Sequence, residues 1–260
     1  MIAPVSAWGI AIVLALMLGA SILVSQRQSL GLERDLVLGS FRAALQLVLV
    51  GYLLHLVFDH ERPEWVFLVL TVMLAVATYT AARRVDDGPK LSRMILPSFL
   101  AIAAGSVVAL VPVFVLVIVP EPWFEARYLI PISGMIVANA MNVVAQIHQR
   151  IFAAARTDRA EIEQWLALGA TPKQALARQT REALRGAMIP TINGLFTVGL
   201  VALPGMMTGQ VVSGAPPEGA VRYQIVIMYQ LVIVAAVSGG VATYLARRLL
   251  FTSRGQLRTP

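Results

Sequence analysis

Two apolar stretches of this chain carry the same short arrangement, a proline followed by glycine and methionine and then an amide side chain. They are Pro131, Gly134, Met135 and Asn139 in the first, and Pro204, Gly205, Met206 and Gln210 in the second. Met141 and Asn142 extend the first set and Met207 the second. Thioether sulfur is a soft ligand that suits copper(I) better than iron, whereas amide and carbonyl oxygens suit harder ions, so the set can receive a cation without naming it. Proline and glycine also free backbone carbonyls, which in lipid must face protein or a water-filled cavity. An unpaired amide buried in hydrocarbon costs several kcal/mol and has the same need. Both stretches are therefore expected to be interior or broken spans lining a substrate path. The alternative is that their small residues serve only close helix packing. A further candidate face is formed by Arg42 and Gln46, four residues apart in an earlier apolar stretch; its alternative is an arginine that snorkels to the interface.

A different chemistry resides in the polar stretch from Arg150 to Pro190. Asp158 with Glu161 three residues on reads as an acidic capping box, after which Ile162, Trp165 and Leu166 fall on one helical face. Gly169 suits a left-handed helix stop. Thr171 then reads as an N-cap with Pro172 at the first helical position and Gln174 completing a T-x-x-Q box. The second helix carries Arg178, Arg181 and Arg185 on one stripe, which in its plain reading touches anionic headgroups. A short amphipathic helix outside the bilayer must cover its apolar face with something, and that points to a partner protein.

Glu163 followed six residues later by Gly169, then Thr171 and Pro172, resembles the coupling loop of ABC-transporter permeases, with Gln164 and Trp165 standing where that family has two alanines. Pro131 through Asn142 and Leu203 through Gln210 resemble the FetB-type iron-export permeases and the related plant aluminium-tolerance permeases. Together with the order of the spans, the resemblance covers nearly the whole chain. It implies a permease homodimer bound to cytoplasmic ABC ATPase subunits that hold the ATP, no cofactor on this chain itself, and iron or another metal ion as exported cargo. Glu163, Trp165, Leu166, Gly169, Thr171 and Pro172 would then meet the ATPase.

The elements that position these residues are set by composition. Of 260 residues 58% are hydrophobic and 13% charged, too apolar for a soluble domain, where about a quarter are charged. The fold class expected is an all-α integral membrane protein with about seven spans: Val5 to Val24, Leu36 to Phe58, Trp65 to Ala82, Met94 to Val119, Tyr128 to Gln146, Ala187 to Val212 and Tyr223 to Leu245. The chain is read as one permease domain over 1–260, with a coupling segment over 150–188. Eighteen of the 21 arginines and lysines fall on one side of this arrangement, against Arg62, Arg127 and Arg222 on the other. That asymmetry predicts an outer N-terminus, a cytoplasmic C-terminus and a cytoplasmic coupling segment in a multi-pass protein of the cell inner membrane.

The net charge of +7 is confined to loops without interleaved aromatics, which argues against a nucleic-acid partner. There are no cysteines, hence no disulfides or thiolate metal sites. No phosphate-binding loop or catalytic constellation is visible, so the chain is expected to be a permease and not an enzyme. The competing readings are an ABC permease for a small organic substrate such as a nucleotide sugar, a secondary transporter and a membrane scaffold. The second is disfavoured by the absence of intramembrane Asp or Glu.

Overall fold

The structure, a computed structural model, describes residues 7–60, 62–85, 89–252 and 254–258. The expected start of the first span at Val5 lies outside the described residues. All named elements are helical, and the chain divides into two compact units, Met1–Arg62 and Pro63–Pro260.

The first unit pairs α1 (Ala7–Arg27) with α2 (Glu33–His60). Their connection takes left-handed conformations at Ser29 and Gly31. Ser25 holds it: its hydroxyl donates to Glu33 Oε1 at 2.8 Å and accepts from the Leu32 N–H at 3.1 Å. Side chains all round both helices are mostly exposed and mostly apolar, the pattern of helices solvated by lipid.

The second unit contains α3 (Pro63–Arg83), α4 (Leu91–Val113) with a π-helical extension over Phe114–Ile118, and α5 (Ala126–Thr157). Then come α6 (Arg159–Ala167), α7 (Pro172–Ala175), α8 (Ala177–Thr197), α9 (Gly205–Val212) and α10 (Pro217–Leu250). The core forms around α5 and α10. On α5 the buried Ile132, Ile136, Ala140, Val143, Ile147 and Ile151 recur at three- and four-residue steps, the stripe of a helix packed on one face. Small residues permit the close approach of α4 to α10. Ala101, Gly105 and Ala109 are all buried on α4, and a Cβ built on Gly105 would overlap the Ser238 hydroxyl and stand 3.0 Å from the Ser238 backbone nitrogen. Gln230 Nε2 donates to the Ala109 carbonyl at 2.9 Å across the same crossing.

Among the described residues six helices are long and apolar enough to cross a membrane: α1, α2, α3, α4 with its extension, α5 and α10. The stretch expected as a sixth span, Ala187 to Val212, is not one helix. Its first half belongs to α8, which starts as far back as Ala177; its second half is α9, and a non-helical link at residues 198–204 separates them. The chemistry of the break is legible. Pro204 disfavours the helical region for Leu203, and Gly199 takes a left-handed φ of 81°. The link folds on itself through Val201 N–H to Thr197 O at 2.9 Å and Gly199 N–H to Ala202 O at 3.0 Å. By contrast Pro131, in the other stretch expected to be interior or broken, lies within a continuous α5. Only one hydrogen bond is lost to the missing N–H, a deficit that neighbouring helices at membrane depth can make good. At ~1.5 Å per residue α5 and α10 are ~50 Å long and overrun a ~30 Å hydrocarbon core. The segment expected over 150–188 thus includes the last turns of α5 and the first turns of α8, joined by residues 158–176.

Candidate functional site

The path candidates fall into three groups. Met135, Asn139, Met141 and Asn142 lie on α5, Met206, Met207 and Gln210 on α9, and both helices pack against α10. Met135, Met141 and Met206 are partly buried against one core. Asn139 is already partnered: its Nδ2 donates to Leu231 O of α10 at 2.9 Å, and its Oδ1 accepts from the Thr191 hydroxyl of α8 at 3.3 Å. Asn142 is exposed, and the buried Oε1 of Gln210 has no protein partner. Arg42 and Gln46 belong to the first unit, exposed on α2.

Polar groups that the sequence reading passed over lie on α10 and α5. Gln224 and Gln230 are buried on α10, each with a carbonyl oxygen lacking a partner, and His148 of α5 is fully buried with both ring nitrogens unpaired beside the Phe152 ring. The signal for the glutamines was present, since an amide in the last span is as costly as Asn139. His148 sits two residues past the expected end of its span, where an imidazole reads as interfacial. Among the described residues no group of three His, Asp or Glu side chains is arranged to hold a metal ion.

The polar segment is built more tightly than the sequence implied. Helix α6 ends in a Schellman motif: Gly169 has φ 87°, its N–H reaches Leu166 O at 3.0 Å, and the Ala170 N–H reaches Trp165 O at 3.0 Å. The T-x-x-Q box closes in both directions, with Gln174 N–H to Thr171 Oγ1 at 3.4 Å and Thr171 N–H to Gln174 Oε1 at 2.9 Å.

Three expectations need correction here. The Asp158 side chain makes no cap bond to α6. Its carboxylate instead turns to α8, accepting from Gln179 Nε2 at 3.1 Å and from Arg178 Nη2 at 2.8 Å. The Gln179 bond first, and then the Arg178 charge, hold that carboxyl below its ordinary value of 3.8. Arg178 likewise is no free headgroup contact, for it also reaches Glu161 at 2.6 Å and Glu182 at 3.3 Å, a network that ties α6 to α8. Finally, the apolar face of α6 is divided. Ile162 is fully buried and Leu166 packs on the core, while Trp165 is 51% and Leu168 82% exposed. Trp165 borders a cavity of about 510 Å³ whose other walls include Arg178, Arg181 and Arg185.

An all-helical multi-pass membrane protein with a braced polar segment is the class that these observations define. The family model described as an uncharacterised protein family, UPF0014, matches residues 7–251. A UPF0014 membrane protein of Synechocystis is 39% identical over 241 residues, 93% of this chain and 92% of the relative. A protein of Escherichia coli named as a probable iron export permease protein, FetB, is 36% identical over 245 residues, 94% of this chain and 92% of its own. The ALUMINUM SENSITIVE 3 protein of Arabidopsis thaliana is 36% identical over 239 residues, 92% of this chain and 85% of its own. The chain belongs to the UPF0014 family of membrane proteins. No solved structure matches it.

Proposed function

We propose that this chain is the permease subunit of an ATP-driven transporter, working as a homodimer with two copies of a separate ATPase, and that it exports iron or a similar metal ion. The observation that carries the reading is the state of α6. Ile162 and Leu166 anchor it, the Schellman turn and the Arg178 network fix it, and Trp165 and Leu168 remain exposed, Trp165 beside an arginine-walled cavity. A rigid helix with an unpartnered aromatic is the form a helix-in-groove contact takes. The similarity to FetB, named for iron export, supports the cargo, and the broken α8–α9 span supports a path, because discontinuous helices are tolerated at membrane depth where they line a cavity. Met135, Asn139, Met141, Asn142, Met206, Met207 and Gln210 are its proposed lining; Arg42 and Gln46, on α2 of the first unit, are the next candidates if these residues serve only packing.

The test is co-purification of an ATPase subunit followed by ATP-dependent iron flux in inverted vesicles. Trp165→Ala is expected to weaken ATPase retention by roughly thirtyfold, since a buried interfacial tryptophan carries ~2 kcal/mol. ATPase retention unaffected by Trp165→Ala and Leu168→Ala together would sink the docking assignment. Flux that persists without ATP would instead identify a secondary transporter.

A further inference from the structure

A second cavity, of about 340 Å³, lies where α10 ends, lined by Arg247, Arg248, Arg258, Phe251, Thr252 and Pro172. It gathers three guanidinium groups, and none of them pairs with a carboxylate among the described residues. The chain builds this cavity deliberately. After Leu250 it leaves the helix and folds back through Gly255, with φ 76°, into a hook held by Thr252 N–H to Gln256 O at 2.9 Å and Arg258 N–H to Leu250 O at 2.8 Å. Arg258 Nε donates to Phe251 O at 3.2 Å, which leaves its terminal nitrogens for other partners. Arg247 and Arg248 both lie over the Tyr244 ring, at 5.4 and 4.7 Å from its centroid. The Thr252 hydroxyl accepts from the Gln256 N–H at 3.2 Å, so its own proton can be donated.

Three like charges that line one cavity repel, and an anion among them relieves the repulsion. Guanidinium is weakly hydrated and matches phosphate oxygens in pairs, and the buried Phe251 and the Pro172 ring add an apolar floor. Position decides the source of the phosphate. Arg247 stands two residues past the apolar run that closes at Leu245, and Tyr244 is the amphipathic ring expected at headgroup level. Basic pockets at that level are suited to anionic headgroups.

We propose that this cavity binds the phosphate of an anionic glycerophospholipid, with Arg247, Arg248 and Arg258 as cationic ligands and Thr252 as a hydroxyl donor. The test uses the full chain purified in detergent, exchanged into nanodiscs of equimolar phosphatidylglycerol and phosphatidylcholine, then re-extracted and examined by native mass spectrometry. The Arg247→Gln/Arg248→Gln double variant leaves the Arg258 tether intact, and Arg254→Gln removes one charge from the same hook outside the cavity. Retained phosphatidylglycerol on the wild type, roughly thirtyfold less on the double variant and unchanged retention on Arg254→Gln are expected, at ~1 kcal/mol per arginine. Equal losses in both variants would mean diffuse charge attraction and overturn the site. So would absence of a retained anionic lipid from the wild type. Displacement of the lipid by millimolar inorganic phosphate would overturn the lipid assignment in favour of a soluble phosphate. Thermal unfolding of the double variant near the wild-type temperature shows that any loss is not one of fold.

Discussion

The Asn139 amide nitrogen lies 2.9 Å from the Leu231 carbonyl, so the side chain proposed for the path also joins α5 to α10. Its oxygen takes a third helix, α8, through Thr191. A ligand role and a packing role are thus superimposed at one residue, and substitution separates them only when paired with a neighbour that packs without hydrogen bonding. Asn139→Leu is expected to lower stability by ~1 kcal/mol, as interhelical hydrogen bonds in membranes are worth ~0.6–2. Met206→Leu conserves volume and should cost less than ~1.5 kcal/mol while deleting the sulfur. Thermal unfolding and metal flux measured side by side are the check. Reduced flux in Met206→Leu at wild-type stability assigns the sulfur to the path, and normal flux removes it.

The α4–α10 crossing sets a stability prediction independent of function. Gly105→Ala must push Ser238 aside, backbone included, and is expected to destabilise by ~1–3 kcal/mol. Gly51→Ala meets nothing within 4 Å and gains helix propensity, so it should be neutral or slightly stabilising. Chemical unfolding of both variants tests the pair; equal effects would show that the crossing is looser than drawn.

The tie between α6 and α8 has a defined pH dependence. A carboxylate whose folded value is depressed stabilises above its unfolded value and loses that contribution as pH falls through the folded one. For Asp158 the tie is complete from neutral pH down to about its ordinary 3.8 and is lost only below that. Amide exchange in α6 should therefore show no added opening between mildly acidic and neutral pH. Asp158→Asn, by contrast, should speed exchange roughly two- to fivefold at neutral pH, in keeping with ~0.5–1 kcal/mol for a partly exposed ionic network. Faster wild-type opening already at mildly acidic pH would contradict the assignment.

Topology is tested by a single cysteine, which the chain accepts cleanly because it has none of its own. Thr157 is exposed at the end of α5. Thr157→Cys is expected to resist a membrane-impermeant maleimide in intact cells and to react in inverted vesicles. Labelling in intact cells would reverse the orientation drawn from the basic loops.

Sequence reading reached furthest where chemistry is local. The T-x-x-Q box, the Gly169 stop and the break before Pro204 each depend on a few adjacent residues, and each is present. It fell short where the deciding partner is remote. Arg178 meets Glu161 and Asp158 from 17 and 20 residues away, and no helical period announces that pairing. Pro131 and Pro204 look alike in sequence, yet one sits inside a helix braced by neighbours and the other caps α9. Span ends were placed by hydropathy, so the polar last turns of α5 and the unbroken run of the arginine-bearing helix into the apolar stretch after Ala187 were missed. The division of α6, with Ile162 inward and Trp165 outward, depends on which neighbour α6 leans on and is a tertiary property.

The interruption between α8 and α9 bears on how the chain enters a bilayer. Eleven residues of α8 follow Gly186 and only eight make up α9, each well short of the ~20 that a translocon partitions as one helix. Neither piece can commit to lipid by its own hydropathy. During synthesis both must wait at the lateral gate, or at the membrane surface, until α10 emerges and offers the wall against which α9 packs. Assembly of this region thus awaits the synthesis of α10, and a ribosome stalled before Pro217 would leave the proposed path unassembled.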